Sequence, residues 1–484
     1  MIALTKLLET VDYQAKGDVQ SRAINKIQYD SRKCQPNDLF VAIAGHTIDG
    51  HQFIPSVASK KPAVIICQEW PQSLHPNITY IKVACTKEAL GIIAHNYYDK
   101  PSDHLKLIGI TGTNGKTTVS TLLYRLFESS GQKSGLISTV DIRNHDRVYN
   151  TTLTTPDSLE INYHLHQMVQ SGIKHCFMEV SSHGIDQKRI KGLNFSGGIF
   201  TNLSRDHLDY HDTYKSYRDV KKSFFDSLKP DAFSLFNQDD RNGEFMVQNT
   251  KAKKYSYALH SVANFKGKII ERSLDGTLIK VEGVEFWTNL VGDFNAYNLL
   301  ATYGTASILG HENEFLPQDL SKLQGIPGRF ELFKSPKGIT VIIDYAHTPD
   351  ALLNVLTSIE RLKTAGQKII TVIGCGGDRD KSKRPLIGRI ATQYSNRVVF
   401  TSDNPRNESA QLIIQQMVDG IENLHNKSKV ICESDRLSAI KCAYQLASNQ
   451  DIVLIAGKGH EKFQEIKGQK HIFDDLAIAK KIFI

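Results

Sequence analysis

The chain has 484 residues, 40% hydrophobic and 23% charged, the balance of a folded globular protein and not of a disordered or fibrous one. Lys and Arg outnumber Asp and Glu by 59 to 51, a formal charge of +8, but no dense basic block with interleaved aromatics appears. That argues against a nucleic-acid footprint and suits a small anionic substrate, while the length exceeds one comfortable core and predicts roughly three domains.

Taken from the start, MIALTKLLETVDYQ lacks the basic, apolar and small-residue regions of a secretory signal. No apolar run approaches the roughly 20 residues that span a bilayer, so a soluble, cytoplasmic protein is expected. The seven cysteines (34, 67, 85, 176, 375, 432 and 442) are dispersed without paired metal spacing, as for reduced thiols. Around Pro36-Asn37-Asp38 only turn chemistry and a strand are legible. A linker follows at 98–104, YDKPSDH.

From there strand-length apolar runs repeatedly end in polar or glycine-rich loops. LKLIGI precedes TGTNGKTT, KHCFMEV precedes SSHG, and GGIF precedes TNLSRDHLD. After a second linker, Gly325-Ile326-Pro327-Gly328-Arg329, the habit resumes with ITVIID before YAHTPD, IITVIG before CGGDRD, VVFTS before DNPR and IVLIAG before KGHE. Leu352, Leu353, Leu356, Ile359 and Leu362, after Pro349, have helical spacing. Strand, loop and helix in alternation predict parallel α/β sheets, whose ligands bind at the carboxyl ends of the strands. The linkers divide the chain at 1–103, 104–327 and 328–484.

Gly112-Thr113-Asn114-Gly115-Lys116-Thr117-Thr118 lies between a strand and the helical pattern VSTLLYRLF. Glycines let backbone N–H groups turn toward phosphate, Lys116 can reach the β and γ phosphates, and Thr117 can hold Mg²⁺. The common eight-residue loop needs glycine at 110, where Ile110 stands, so this is a shorter variant. It implies ATP as cosubstrate.

TGTNGKTT, MEVSSHG, TNLSRDHLDYH, GDFNAYN, DYAHTPDAL, GCGGDRDKSKRP, DNPR and AGKGHE, in that order, resemble the Mur ligases, and more narrowly their UDP-N-acetylmuramoyl-tripeptide synthetase branch. The match runs from about Asp30 nearly to the C-terminus. It implies an N-terminal UDP-binding α/β domain, a central P-loop-type ATPase domain with a parallel sheet and a C-terminal Rossmann-like ligase domain. The implied reaction adds meso-2,6-diaminopimelate to UDP-N-acetylmuramoyl-L-alanyl-D-glutamate through an acyl phosphate, with ATP and Mg²⁺, in a monomer that binds neither membrane nor nucleic acid.

By the same resemblance Lys116, Glu179, His207 and Lys221 are catalytic; Thr117, Glu179, His207 and Lys221 hold metal, Lys221 as its carbamate. On charge pattern alone Lys221-Lys222 is a solvated helix face. Asn295, Arg329 and Asp344 join the phosphate loop around ATP. Tyr29, Ser31, His46, Thr47 and Ile48 match the uridine diphosphate region, and Thr154, Thr155, Ser181, Gln187 and Arg189 match contacts to the muramoyl-dipeptide. Leu153 stands where the family often has Asn.

Arg379, Asp403-Asn404-Pro405-Arg406, Gly457 and Glu461 match the amino-acid pocket. Diaminopimelate differs from lysine by a carboxylate beside its distal amine, which the planar guanidinium of Arg406 suits. Taken alone, Arg406 would read as a surface salt bridge. Three alternatives remain: an L-lysine-adding homologue, a folylpolyglutamate synthetase-type ligase, and a catalytically inactive nucleotide-binding protein.

Overall fold

The computed structural model describes residues 1–45, 48–311 and 314–484. Its first sheet orders Gln14–Lys16, Thr79–Lys82, Val64–Cys67, Leu39–Val41 and Ile27–Gln28, all parallel except the first. Val64–Cys67 and Leu39–Val41 are wholly buried, with separate apolar clusters on the two faces. Such continuous runs are what a sheet covered on both sides requires.

The second sheet contains eleven strands among the described residues. Its parallel centre runs Ser134–Ile137, His175–Glu179, Lys106–Thr111, Gly197–Phe200, Phe233–Asn237 and Lys253–Ala258. The first of these in sequence, Lys106–Thr111, lies between His175–Glu179 and Gly197–Phe200. The chain therefore winds one way and then the other from this strand, and a crevice opens at its carboxyl end. Helix Lys116–Ser129 packs into one apolar face together with Asp293–Ile308, while Tyr214–Asp226 supplies Phe224 and Phe225 to the other.

The third sheet orders Glu331–Lys334, Thr340–Asp344, Ile452–Ala456, Ile369–Ile373, Arg397–Phe400 and Val430–Cys432, parallel except at the first strand. Helix Pro349–Leu362 begins with Pro at its first position and the Thr348 hydroxyl accepting from Ala351 N, the usual way to satisfy a free helix start. It buries Leu352, Val355, Leu356 and Ile359. Leu353, half-buried, lies toward the rim, and Val355 enters the core in the same stripe, as 3.6-residue periodicity places them.

Candidate active site

The phosphate loop is shaped by two left-handed glycines, Gly112 at φ +149° and Gly115 at φ +88°. A Cβ on Gly112 would run into the Thr201 hydroxyl, so the loop packs onto the next strand only with glycine there. Thr201 Oγ1 and Asn202 Nδ2 donate to Asn114 O at 2.6 and 3.1 Å, and Asn114 N donates to Asn202 Oδ1 at 3.0 Å. Lys116 Nζ donates to Gly112 O at 3.0 Å and Thr113 O at 2.8 Å. Thr117 and Thr118 are buried at the helix start.

Glu179 ends its strand fully buried, accepting from Thr139 N at 2.7 Å and Thr139 Oγ1 at 3.1 Å. Lys221 is also buried, on a helix whose hydrocarbon face enters the core, and its Nζ donates to Gly112 O at 2.9 Å. The solvated-face reading of Lys221-Lys222 is thus corrected: both are buried, Lys222 paired with Asp226 at 2.7 Å. Burial, and then the nearby Lys116 cation, push the Lys221 ammonium well below its usual range, against a smaller opposing pull from Asp206.

His207, at φ +53°, lies beside Asp206, with Nε2 3.4 Å from the carboxylate. Desolvation pushes its imidazole down to about 3 despite Asp206, with His183, Lys116 and Lys221 adding to the fall. Among the described residues no group of three or more His, Cys, Asp or Glu could form a metal cage. The donor set still fits Mg²⁺, which usually takes one or two carboxylates and shares its remaining positions with substrate phosphates and water. Thr117 and Glu179 supply hard oxygens at the loop, whereas His207 is a less typical donor.

Thr155, Ser181, Gln187 and Arg189 form one connected group beside Glu179. Thr155 Oγ1 donates to Glu179 O at 2.8 Å and accepts from Ser181 N at 2.9 Å. Arg189 donates to Thr155 O at 2.7 Å and to Gln187 Oε1 at 2.6 Å. Thr154 joins through Thr139, their hydroxyl oxygens 3.1 Å apart. From the first sheet, Tyr29 OH reaches Asp157 at 2.9 Å, bringing that region to the same face. Ser31 O accepts from Lys60 Nζ at 2.8 Å, and Ile48 is 58% exposed. His46 and Thr47 lie outside the described residues.

A cleft of about 400 Å³ opens between the second and third sheets, with Asn114, Thr118, Tyr297, Asn298, Arg329 and Asp344 in its wall. Asn295 is not in that wall; it belongs to helix Asp293–Ile308 and accepts from Asn298 Nδ2 at 3.1 Å, behind the cleft residue Asn298. Asp344 accepts from Phe330 N and Ala346 N, both at 2.7 Å, which ties the linker to the third sheet. Arg329 donates to Thr117 Oγ1 at 3.3 Å while its guanidinium lies 4.3 Å from the Tyr345 ring centre. Asn114 Nδ2 also crosses, to Asp350 at 3.2 Å.

Four loops of the third sheet meet on the far side. Gly457, at φ +111°, lets Asp403 approach, since a Cβ there would lie 2.8 Å from Asp403 Oδ2. Asn404 Nδ2 donates to Glu461 Oε2 at 2.8 Å. Pro405 is buried. Arg406 holds φ +50°, donates from Nε to Glu465 at 3.1 Å and from NH1 to Gly377 O at 2.6 Å, and is mostly buried. Both Arg406 and the exposed Arg379 flank Gly376. Tyr345 links the two sides, its ring 5.0 Å from that of His460.

Thr139, Asn202, Tyr345 and Lys458 are part of this assembly and were not singled out from the sequence. Thr139, Asn202 and Tyr345 follow strands of the parallel sheets, so the carboxyl-edge rule applied to every strand would have found them. Two buried arginines brace the loops. Arg436 pairs with Asp475 at 2.6 Å and donates to Ala456 O at 3.0 Å. Arg384 grips Glu408 through two 2.9 Å bonds and Gly376 O at 3.1 Å.

Arg384 and the Asp378 N–H together pull Glu408 down to about 2, against burial. The pair therefore contributes fully above the ordinary carboxylate value of 4.5 and is lost as pH falls from there toward 2. Glu408→Gln should lower the melting temperature at pH 7, since it leaves Arg384 buried without its counter-charge. The gap from the unsubstituted protein should narrow between pH 4.5 and 2.5. Melts across that range check it, and a gap independent of pH refutes it.

A phosphate loop facing a charged pocket across a cleft is the build of a nucleotide-dependent enzyme with a second substrate. Family models match in succession: the Mur ligase family catalytic domain over residues 23–98, the Mur ligase middle domain over 110–306 and the Mur ligase glutamate ligase domain over 328–459. Relatives from Cytophaga hutchinsonii and Phocaeicola vulgatus are both named UDP-N-acetylmuramoyl-L-alanyl-D-glutamate--2,6-diaminopimelate ligase. They are 51% and 48% identical, over 95% and 96% of this chain and 94% and 96% of theirs. A solved structure of a ligase so named is 29% identical with a TM-score of 0.69, covering 100% of this chain and 98% of that one. A Mycobacterium tuberculosis folylpolyglutamate synthase shares the fold alone, at 15% identity, TM-score 0.62, over 76% of this chain and 92% of its own. The chain belongs to the Mur ligase family.

Proposed function

We propose that this protein is the ATP-dependent ligase that joins meso-2,6-diaminopimelate to UDP-N-acetylmuramoyl-L-alanyl-D-glutamate in peptidoglycan precursor synthesis. The observation that carries this is Arg329, which touches the phosphate-loop helix and the Tyr345 ring at once and so makes the loop and the amino-acid pocket two walls of one cleft. The relatives at about half identity bear the name of this activity. Residues 1–103 would take the uridine diphosphate, 104–327 ATP and the dipeptide, and 328–484 the amino acid.

The reaction needs two anions brought together and an amine brought to the product. Lys116, leaving its loop carbonyls, would neutralise the transferring phosphoryl group as it passes to the substrate carboxylate. Arg189 and the Thr155 group would hold the dipeptide with that carboxylate at the loop. Arg406 and Glu461 would present the diaminopimelate amine at its other end, deprotonated, to the acyl carbon; the new C–N bond forms, the nitrogen gives up a proton to solvent, and the acyl C–O bond breaks as phosphate leaves. Reach and alignment supply much of the rate. Mg²⁺, when bound at Thr117 and Glu179, would screen the phosphate charge.

Lys221 suits carbamate formation: burial disfavours its ammonium form, and once deprotonated the amine can add its lone pair to CO₂ and release a proton, leaving a carboxylate beside the loop. That change turns a cation near Lys116 into an anion able to hold metal. Lys221→Ala should be nearly inactive, with partial recovery in short carboxylic acids that fill the space. Full activity without additive would remove the role.

No helix among the described residues is long and apolar enough to cross a membrane, and a monomeric cytoplasmic enzyme is the reading we favour. The deciding experiment is phosphate release with ATP, Mg²⁺ and UDP-muramoyl-dipeptide, with diaminopimelate or L-lysine. Turnover with diaminopimelate and little with lysine is expected. Preference for lysine would move the protein to the lysine-adding type, and no turnover with either would overturn the assignment.

A further inference from the structure

Lys458 stands inside the amino-acid pocket with its side chain 0% exposed. Its Nζ donates to Glu461 Oε2 at 3.0 Å and to Asn404 Oδ1 at 3.1 Å, and lies 3.7 Å from Asp403 Oδ1. The ring of Phe463 is 5.8 Å away. Asp403 Oδ1 is buried and has no hydrogen-bond partner. A long, strongly hydrated ammonium is costly to bury, and here it is buried among three groups of one pocket.

Two consequences follow from that placement. Glu461 Oε2 is saturated by Lys458 and Asn404, so only Oε1 remains to meet an incoming amine. The charge is also set. Asp403, Glu461 and Glu465 are met by Lys458, Arg406 and the neighbouring Arg379, with Arg406 and Glu465 already paired, leaving no net charge. Without Lys458 the pocket would carry one net negative charge, largely shielded from water, where charge is felt strongly.

We propose that Lys458 is a specificity-determining residue, which holds the pocket at a charge suited to an amino acid with a zwitterionic distal end and against one with a cationic end. The ammonium of such an end meets Glu461 Oε1 and its carboxylate meets Arg406, adding no net charge. An amino acid ending only in an ammonium reaches Glu461 Oε1 but adds a net cation that Lys458 and Arg406 oppose, and it leaves Arg406 without an anion. This is discrimination by an unfavourable element as much as by attraction. It rests on the reading of this pocket as the diaminopimelate site.

The test uses two variants of the whole enzyme. Lys458→Met removes the charge and the donor; Lys458→Gln removes the charge but keeps a donor for Glu461. In both, the ratio of kcat/KM for diaminopimelate to that for L-lysine should fall at least tenfold, through KM for the amino acids. KM for ATP and for the UDP substrate should stay within about twofold, which a general loosening of the fold would not give. A ratio unchanged in both variants overturns the inference. So does a ratio lost in Lys458→Met but kept in Lys458→Gln, which would make positioning of Glu461 the cause. Failure of both to fold, seen by melting, would leave Lys458 structural only and also overturn it. If the unsubstituted enzyme does not turn over diaminopimelate, the functional reading fails instead.

Discussion

Lys116→Ala should slow phosphate release about 10²- to 10³-fold while leaving a folded protein. The Nζ donates only to carbonyls of its own loop, Gly112 O and Thr113 O, so its loss removes no packing between elements. What is lost, on the proposed mechanism, is a cation that would meet the charge developing during phosphoryl transfer. Burial, partly countered by Glu179 and Asp206, holds the Lys116 ammonium below its usual range, so it gains more than a solvated lysine from pairing with phosphate. Removing one such preorganised group costs about 10²- to 10³-fold in kcat. ADP formation with saturating substrates measures it, with nucleotide binding and a thermal melt as controls for fold. Turnover within tenfold of the starting enzyme would sink the assignment of this loop to catalysis.

The second large effect concerns the choice of amino acid. Arg406→Ala should lower kcat/KM for diaminopimelate roughly 30-fold or more, since truncating a buried charge pair costs on the order of 2 to 5 kcal/mol and about 1.4 kcal/mol is tenfold. Two of its five donors are engaged, by Glu465 and Gly377 O, which fixes the fork and leaves donors for a ligand carboxylate. Lysine offers no such carboxylate and should lose little. The substitution also frees the negative charge of Glu465, which favours the distal ammonium of lysine. Arg406→Lys should not rescue, as an ammonium cannot reproduce the planar fork. Steady-state kinetics with both amino acids decide it: equal losses for the two would make Arg406 a structural residue.

The left-handed backbone of Arg406, φ +50°, supports the same view. A residue with a β-carbon is rarely placed there unless its surroundings demand it, and such strain gathers at functional positions. Here the demand is visible: Arg406 N donates to Glu465 O, and Lys467 N donates back to Arg406 O at 2.8 Å. The loop is thus sewn to the hairpin 463–472, and the guanidinium is turned inward.

Much of this protein was determined by its sequence alone. Apolar runs such as GGIF, which became the strand Gly197–Phe200, and ITVIID, which became Thr340–Asp344, must be strands buried on two faces. The polar residues that follow them must then collect on one edge. The phosphate loop was equally legible, because its glycines, lysine and threonines are contiguous and their chemistry is local. Tertiary structure alone decided the rest. Lys221 read as a solvated face because charge pattern reports only neighbours in sequence, whereas its burial comes from a loop 109 residues away, at Gly112. Asn295 was placed behind Asn298 by the turn of a helix, and Arg329 was made a bridge by the approach of two domains. Lys458, one residue within a motif already recognised, gained its meaning only when Asp403, Asn404 and Glu461 closed around it. Charges act through space, and a chain reveals which of them meet only once it is folded.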